Sequence, residues 1–308
     1  MSAGFVRQPW QAAGLAAMAA AAIAGCGASS ASTPSASGAT TSAGSAATSS
    51  ASALSAVQLA AKTAAGANTV TGTMSVQATV KPGATATPSG TTGAASSGNL
   101  DLTATFAEQL RPYLLASVDI GSLTSSGSSL PGGMSEILTP STLYLKASVL
   151  TQELHLSKPW IVIPLSQISK SSGINLSQIL DSVNGNGPLT QSQLLAGATS
   201  VHQAGTSTLD GVRVTEYTGT LSLDKGLASL PSSTRTQLQQ AIAAEGLTTA
   251  NFTVWIDDSH TVRKSVVTEA GKALTETITT TVTSLGKPVK IALPPASQTA
   301  PLPSGVTS

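Results

Sequence analysis

The sequence predicts an α+β fold built on an antiparallel sheet, and three observations carry that prediction. Long stretches alternate apolar and polar residues with period two, the pattern of half-buried antiparallel strands. Helical spacing is confined to a few separate blocks and does not follow each strand, so regular βαβ winding is not expected. Between eight and eleven strands can be counted, and a sheet of that size must curl or close.

Composition bounds what the fold can do. The chain has 308 residues and one cysteine, Cys26. Arg7 is the single basic residue among the first 25, so the rest carries 14 Lys+Arg against 14 Asp+Glu. That balance offers no basic block to neutralise phosphates, and nucleic acid is not an expected partner. Nor is there a polybasic patch to add to membrane binding. With its one cysteine in the N-terminal segment, the folded part has none for disulfides and must be held by its own core.

The N-terminus opens with Arg7 and then an uncharged, alanine-dominated run from Pro9 to Gly25, with Leu15, Met18 and Ile23 adding bulk. A basic start, an apolar segment and small residues before a cut describe a secretory signal over residues 1–25. Two other readings exist: a retained membrane span, for which about 17 residues are marginal, and a buried structural thiol at Cys26. Ile23-Ala24-Gly25-Cys26 resembles the lipobox of bacterial lipoproteins. That resemblance implies diacylglycerol transfer to Cys26, cleavage before it, and attachment to the outer face of the cell membrane through the lipid. Residues 27–53 contain only Gly, Ala, Ser, Thr and Pro. Too little bulky apolar surface is present to offset ordering entropy, so residues 26–53 are read as a tether reaching on the order of 30 Å.

From Leu54 the elements follow in order. Leu54, Val57, Ala61 and Ala64 recur at helical spacing and predict a helix over about 53–66, with Gly66 and Asn68 stopping it. Val70 to Val80 reads as a strand, and Lys81 to Gly98 as a long loop. Leu100, Leu102, Ala104 and Phe106 then share one face of a strand, against Asn99, Asp101, Thr103 and Thr105. Leu114, Ala116, Val118 and Ile120 do the same in the next, before a loop over Thr124–Gly133. Leu143–Lys146 and Trp160–Ile163 are two more strands. Helical signals follow around Ile179, Leu180 and Val183, and after Pro188 with Leu194 and Leu195. A strand over Gly211–Leu223 continues a hairpin from Val201, and Ser232–Ala244 reads as a helix. Phe252–Ile256 and Val262–Val267 flank a turn at Asp257-Asp258-Ser259-His260. Leu274–Leu285 is a Thr-rich strand, Val289–Leu293 is expected to close the sheet, and the tail over 297–308 is expected to fray.

Several fragments together resemble the actinobacterial LppX/LprG-type lipoproteins, which share a fold with the LolA and LolB lipoprotein carriers. They are Thr71-Gly72-Thr73-Met74, Leu143-Tyr144-Leu145-Lys146 with Lys158-Pro159-Trp160, and Leu209-Asp210-Gly211-Val212 with Tyr217. Val254-Trp255-Ile256-Asp257 with Val262-Arg263-Lys264, Leu285-Gly286-Lys287-Pro288-Val289 and Pro294-Pro295 complete them. The resemblance covers about 54–296. It implies a strongly curved antiparallel half-barrel with helices across its concave face, an apolar cavity, and a lipid or acylated glycolipid ligand carried or stored outside the cytoplasmic membrane. The turn departs from the family in having Ser259-His260 where a glycine is expected.

No catalytic or metal motif stands out. His155, His202 and His260 are far apart and show no paired spacing, whereas a metal site needs converging ligands. Asp257-Asp258 is ordinary turn chemistry. No G-x-S-x-G elbow or phosphate loop is present. Neither an enzyme nor a cofactor is therefore expected, and a monomer is the expected state. Lipid binding needs only an apolar surface. Leu102, Phe106, Leu114, Val118, Leu145, Ile179, Leu180 and Leu194 are the expected lining residues. The same residues would equally serve as plain core in a structural or sensory envelope module, which is the rival function.

Overall fold

A computed structural model describes residues 50–81, 98–129, 132–172, 187–272 and 274–303. It opens with helix α1 (Ser50–Gly66), which buries Ala53, Val57, Ala60, Ala61 and Ala64. Those positions form one helical stripe. The opposite side leaves Leu59 exposed.

Thirteen strands make one sheet. In chain order they are β1 (Thr69–Val80), β2 (Gly98–Gln109), β3 (Leu115–Ser125), β4 (Ser128–Ser129), β5 (Met134–Leu138), β6 (Thr142–Ala147), β7 (Trp160–Pro164), β8 (Ala198–Leu209), β9 (Val212–Ser222), β10 (Thr249–Asp257), β11 (Val262–Ala270), β12 (Leu274–Leu285) and β13 (Thr299–Pro301). Their spatial order is β13-β7-β6-β5-β3-β2-β1-β12-β11-β10-β9-β8, with β4 pairing only β3. Every pair is antiparallel except β13 on β7. Strands β13 and β8 remain as free edges, so the sheet is a curved, unclosed half-barrel. The predicted α+β class holds.

Among the described residues α1 is joined by five further α-helices: α2 (Ser148–Glu153), α3 (Leu165–Ser172), α4 (Pro188–Leu194), α5 (Leu223–Ala228) and α6 (Ser232–Glu245). Helix α1 lies against β8 and α4. Its Ala53, Val57, Ala60 and Ala61 join Leu195, Val201, Tyr217, Leu221, Phe252 and Val254 in one cluster at that end of the sheet. A second cluster gathers Val76, Leu102, Ala104, Ile120, Leu145, Ile161 and Ile278, with Leu150, Leu154 and Leu156 packed on it from α2 and the turn after it.

Register explains one invariant demand of this packing. Gly72 in β1 faces Phe106 in β2 and Val282 in β12. A Cβ there would stand 2.1 Å from the Thr281 carbonyl oxygen and 2.8 Å from Phe106 Cζ. Only glycine fits.

The turn after β10 forms as the sequence suggests. Asp257 Oδ1 accepts hydrogen bonds from the Ser259 and Thr261 amides, each at 2.9 Å, and from Ser259 Oγ at 2.7 Å. Arg263 Nε pairs with Asp257 Oδ2 at 2.6 Å. His260 takes the left-handed conformation, φ 58°, at the place where the family resemblance leads one to expect glycine.

Several expectations are corrected. Thr124 and Ser125 belong to β3, and Ser126-Gly127 turns it into β4 rather than opening a long loop. Strand β5, absent from the sequence reading, follows. Leu223 begins a helix instead of ending a strand. Residues 289–293 form no strand: Pro288, Pro294 and Pro295 remove donors around them, and Leu293 stays exposed. The sheet is instead completed by Thr299–Pro301, parallel to Trp160–Val162, within the tail expected to fray. The helix expected around Ile179–Val183 lies outside the described residues.

Candidate functional site

Period-two alternation sends every second residue of the sheet to the face that the helices cover. On β1 these are Val70, Gly72, Met74, Val76 and Ala78, and on β12 Glu276, Ile278, Thr280 and Val282. On β2 they are Leu102, Ala104, Phe106 and Glu108, opposite Ala116, Val118 and Ile120 of β3. Strand β5 adds Met134, Glu136 and Leu138, and β6 adds Leu143, Leu145 and Ala147. This inner face is the candidate ligand surface.

Of the expected lining residues, Leu102, Val118 and Leu145 meet in one cluster. Phe106 sits beside them in a cluster with Val70, Leu189 and Val282, against which Val118 packs. Leu114 packs at the margin with Ala116, Leu138, Leu143 and Leu165. Leu194 does not join them: it packs with the α1 cluster at the other end. Ile179, Leu180 and Cys26 lie outside the described residues.

The sequence reading missed the most unusual inner-face residues, three buried glutamates. Glu136 is 1 % exposed, Glu276 2 % and Glu108 5 %. Among the described residues, both carboxyl oxygens of Glu136, one of Glu276, one of Glu108 and the Thr280 hydroxyl have no hydrogen-bond partner. Burial pushes the Glu136 carboxyl up to about 8 and the Glu108 carboxyl up to about 7. Burial, and then the neighbouring Glu269 carboxylate across the β11–β12 pair, push Glu276 up to about 8. At neutral pH, Glu136 and Glu276 are therefore held mainly as neutral acids, and no Lys or Arg is buried among the described residues. The inner face presents apolar carbon and the protonated carboxyls of Glu136 and Glu276, with Glu108 the readiest of the three to ionise. The clue was in the sequence: Glu108 and Glu276 each occupy an inward position of an alternating run, after Phe106 and before Ile278.

Not every inner side chain is sealed. Met74, Val118, Leu123, Ile163, Leu150, Leu154 and Leu156 are partly buried hydrophobics around the second cluster. His155, His202 and His260 stand in the segment after α2, on β8 and in the β10–β11 turn. Among the described residues no group of three His, Cys, Asp or Glu side chains could hold a metal ion, and no helix is long and apolar enough to cross a membrane.

Fold and site together define an open antiparallel half-barrel with an apolar, helix-covered inner face. Solved structures of similar form are those of LprF from Mycobacterium bovis and the lipoprotein LppX from Mycobacterium tuberculosis. The first has 15% identity and a TM-score of 0.46, over 80% of this chain and 98% of the other. The second has 18% identity and a TM-score of 0.41, over 79% and 100%. A putative outer membrane lipoprotein-sorting protein domain from Vibrio parahaemolyticus follows at 9% identity and a TM-score of 0.21, over 77% and 92%. No family model matches the sequence, and no curated protein matches it.

Proposed function

We propose that this chain is a cell-envelope lipoprotein that shelters the acyl chains of a lipid or acylated glycolipid against the inner face of its half-barrel, for carriage or storage outside the cytoplasmic membrane. Its attachment is the lipid on Cys26, which has to suffice because the mature charge is balanced; two or more acyl chains bind stably where one does not. The observation that carries the reading is the inner face itself. It is largely apolar across β12 to β7, burial holds Glu136 and Glu276 mainly protonated, and Met74, Val118, Leu123 and Ile163 remain partly open on it.

Energetics make that face sufficient. Each methylene removed from water contributes about 0.8 kcal/mol. Ten methylenes would contribute about 8 kcal/mol, against which the costs of association are set. No placed polar group is needed, which agrees with the absence of a ligand-specific motif in the sequence.

A second reading has an observation of its own. Leu102, Leu145 and Ile161 are only 4 %, 4 % and 1 % exposed, as in a filled structural core. Titration of a fluorescent fatty acid, followed by displacement with phospholipid, separates the two. Saturable uptake that Val118→Asp weakens supports sheltering of acyl chains. No uptake at micromolar concentration would leave the structural module as the function.

A further inference from the structure

Sheltering hydrocarbon makes no use of the most sealed polar group on the inner face, the Glu136 carboxyl. Glu136 stands on β5 in a register row whose other inward members are all hydrocarbon: Ile161, Leu145, Val118 and Phe106. The inward positions before and after it on its own strand are Met134 and Leu138. In the plane of the sheet it therefore has apolar side chains on all four sides. It is 1 % exposed, and among the described residues neither carboxyl oxygen has a hydrogen-bond partner.

The other two inner-face glutamates are placed differently. Glu108 lies against Gly187 at the start of α4, where a Cβ would stand 2.7 Å from its Oε1. Glu276 faces Glu269 in register across the β11–β12 pair. Of the three, Glu136 is the one that combines apolar neighbours on every side with two unpartnered oxygens.

An unmade hydrogen bond at a buried polar atom costs more than an average bond contributes, so an isolated buried acid points to a partner from outside the fold. Charge and surroundings narrow what that partner is. Burial pushes the Glu136 carboxyl up to about 8, so at neutral pH it offers an O–H donor. No Lys or Arg is buried among the described residues to accompany an anion, which disfavours a carboxylate or phosphate at this depth. A sugar hydroxyl would bring further polar groups into a row of hydrocarbon. An ester carbonyl does not: it is uncharged, only accepts, and is joined directly to the acyl chain. Access exists on both sides of β5. Val118, one strand step of about 4.8 Å away, and Ile163 of β7 are both partly open. A chain lying across those two side chains passes the carboxyl.

We propose that Glu136 is a ligand-selecting residue, donating a hydrogen bond from its carboxyl O–H to an ester carbonyl of the lipid held on the inner face. The proposal rests on the acyl-sheltering reading and adds a preference to it: hydrocarbon supplies the affinity, and Glu136 discriminates ester-linked from ether-linked chains.

The test is displacement of diphenylhexatriene, a fluorescent hydrocarbon with no carbonyl, from the full chain kept in a fluorinated surfactant near pH 6. The competitors are dioctanoylglycerol and the matching dioctyl glycerol ether. The parent should bind the ester at least about tenfold more tightly than the ether. Glu136→Leu should bind the two alike, within about twofold, whereas Glu136→Gln, which keeps an N–H donor, should retain the preference. Because the ratio is taken within each protein, a general change in stability or cavity size cancels. Infrared spectra of the bound ester, isotopically labelled at its carbonyl, need no variant. The carbonyl stretch should fall below its value in alkane solvent, as it does on accepting a hydrogen bond. Equal binding of ester and ether by the parent, a preference that survives in Glu136→Leu, or an unshifted stretch overturns the proposal while acyl sheltering stands. Failure of diphenylhexatriene and both lipids to bind overturns acyl sheltering, and this proposal with it.

Discussion

Glu136 offers the sharpest physical prediction. It sits at 1 % exposure on β5, between Val118 and Leu145, with neither carboxyl oxygen hydrogen-bonded. Burial raises its carboxyl from the ordinary 4.5 to about 8. The folded protein thus holds a proton that the unfolded chain releases near 4.5. Between those values the unfolded state binds fewer protons, so raising the pH favours unfolding by about 1.4 kcal/mol per pH unit. The stability tied to this proton is fully present below 4.5 and is lost as the pH rises through about 8. Over the whole window the loss is on the order of 5 kcal/mol, a large share of the 5–15 kcal/mol typical of a domain. Replacing Glu136 by Leu removes the proton and keeps apolar bulk. Urea unfolding at pH 5 and pH 8 should show the parent losing on the order of 4 kcal/mol more than Glu136→Leu across that interval. Glu108 and Glu276 titrate in both proteins, so the difference isolates Glu136. Parallel pH dependence in the two proteins would refute the reasoning.

Other perturbations have equally definite outcomes. Gly72→Ala forces a Cβ onto the Thr281 carbonyl and Phe106, and should cost about 1–3 kcal/mol or more, read as a drop in thermal midpoint. Burial acts to raise the Asp257 carboxyl, but hydrogen bonds from Ser259 and Thr261 and the Arg263 contact outweigh it and hold it below its ordinary value. Its contribution is present above the ordinary 3.8 and is lost as pH falls below that. Asp257→Asn should therefore destabilise by about 1–3 kcal/mol at pH 7 and by less near pH 3 in denaturant titrations. Cys26→Ala should abolish incorporation of labelled fatty acid and release the protein from the membrane fraction; retained labelling would end the anchor proposal.

Much of the sheet was legible because antiparallel strands with one covered face write their register into sequence. Leu102, Ala104 and Phe106, or Val254 and Ile256, announce themselves by alternation. Where a single inward position is acidic the signal fails: Glu136 interrupts Met134-Ser135-Glu136-Ile137-Leu138, and β5 went unread. Val289–Leu293 failed the other way, alternating like a strand between prolines that deny it a ladder. Strand β13 pairs in parallel with a segment some 140 residues earlier, a contact no local pattern encodes. Which way a side chain points from the sheet is legible for the same reason. Inward direction is local information, so Leu102, Phe106, Val118 and Leu145 converge; which helix covers which part of the sheet is not, so Leu194 lands elsewhere.

The central claim is that acyl chains occupy the inner face, and native mass spectrometry of the chain from residue 50 onward, purified gently from its host, tests it most directly. The account predicts a population heavier than the polypeptide by the mass of a lipid, returned to the polypeptide mass by solvent extraction and rebuilt by added phospholipid. A single peak at the polypeptide mass that no added lipid shifts would contradict it.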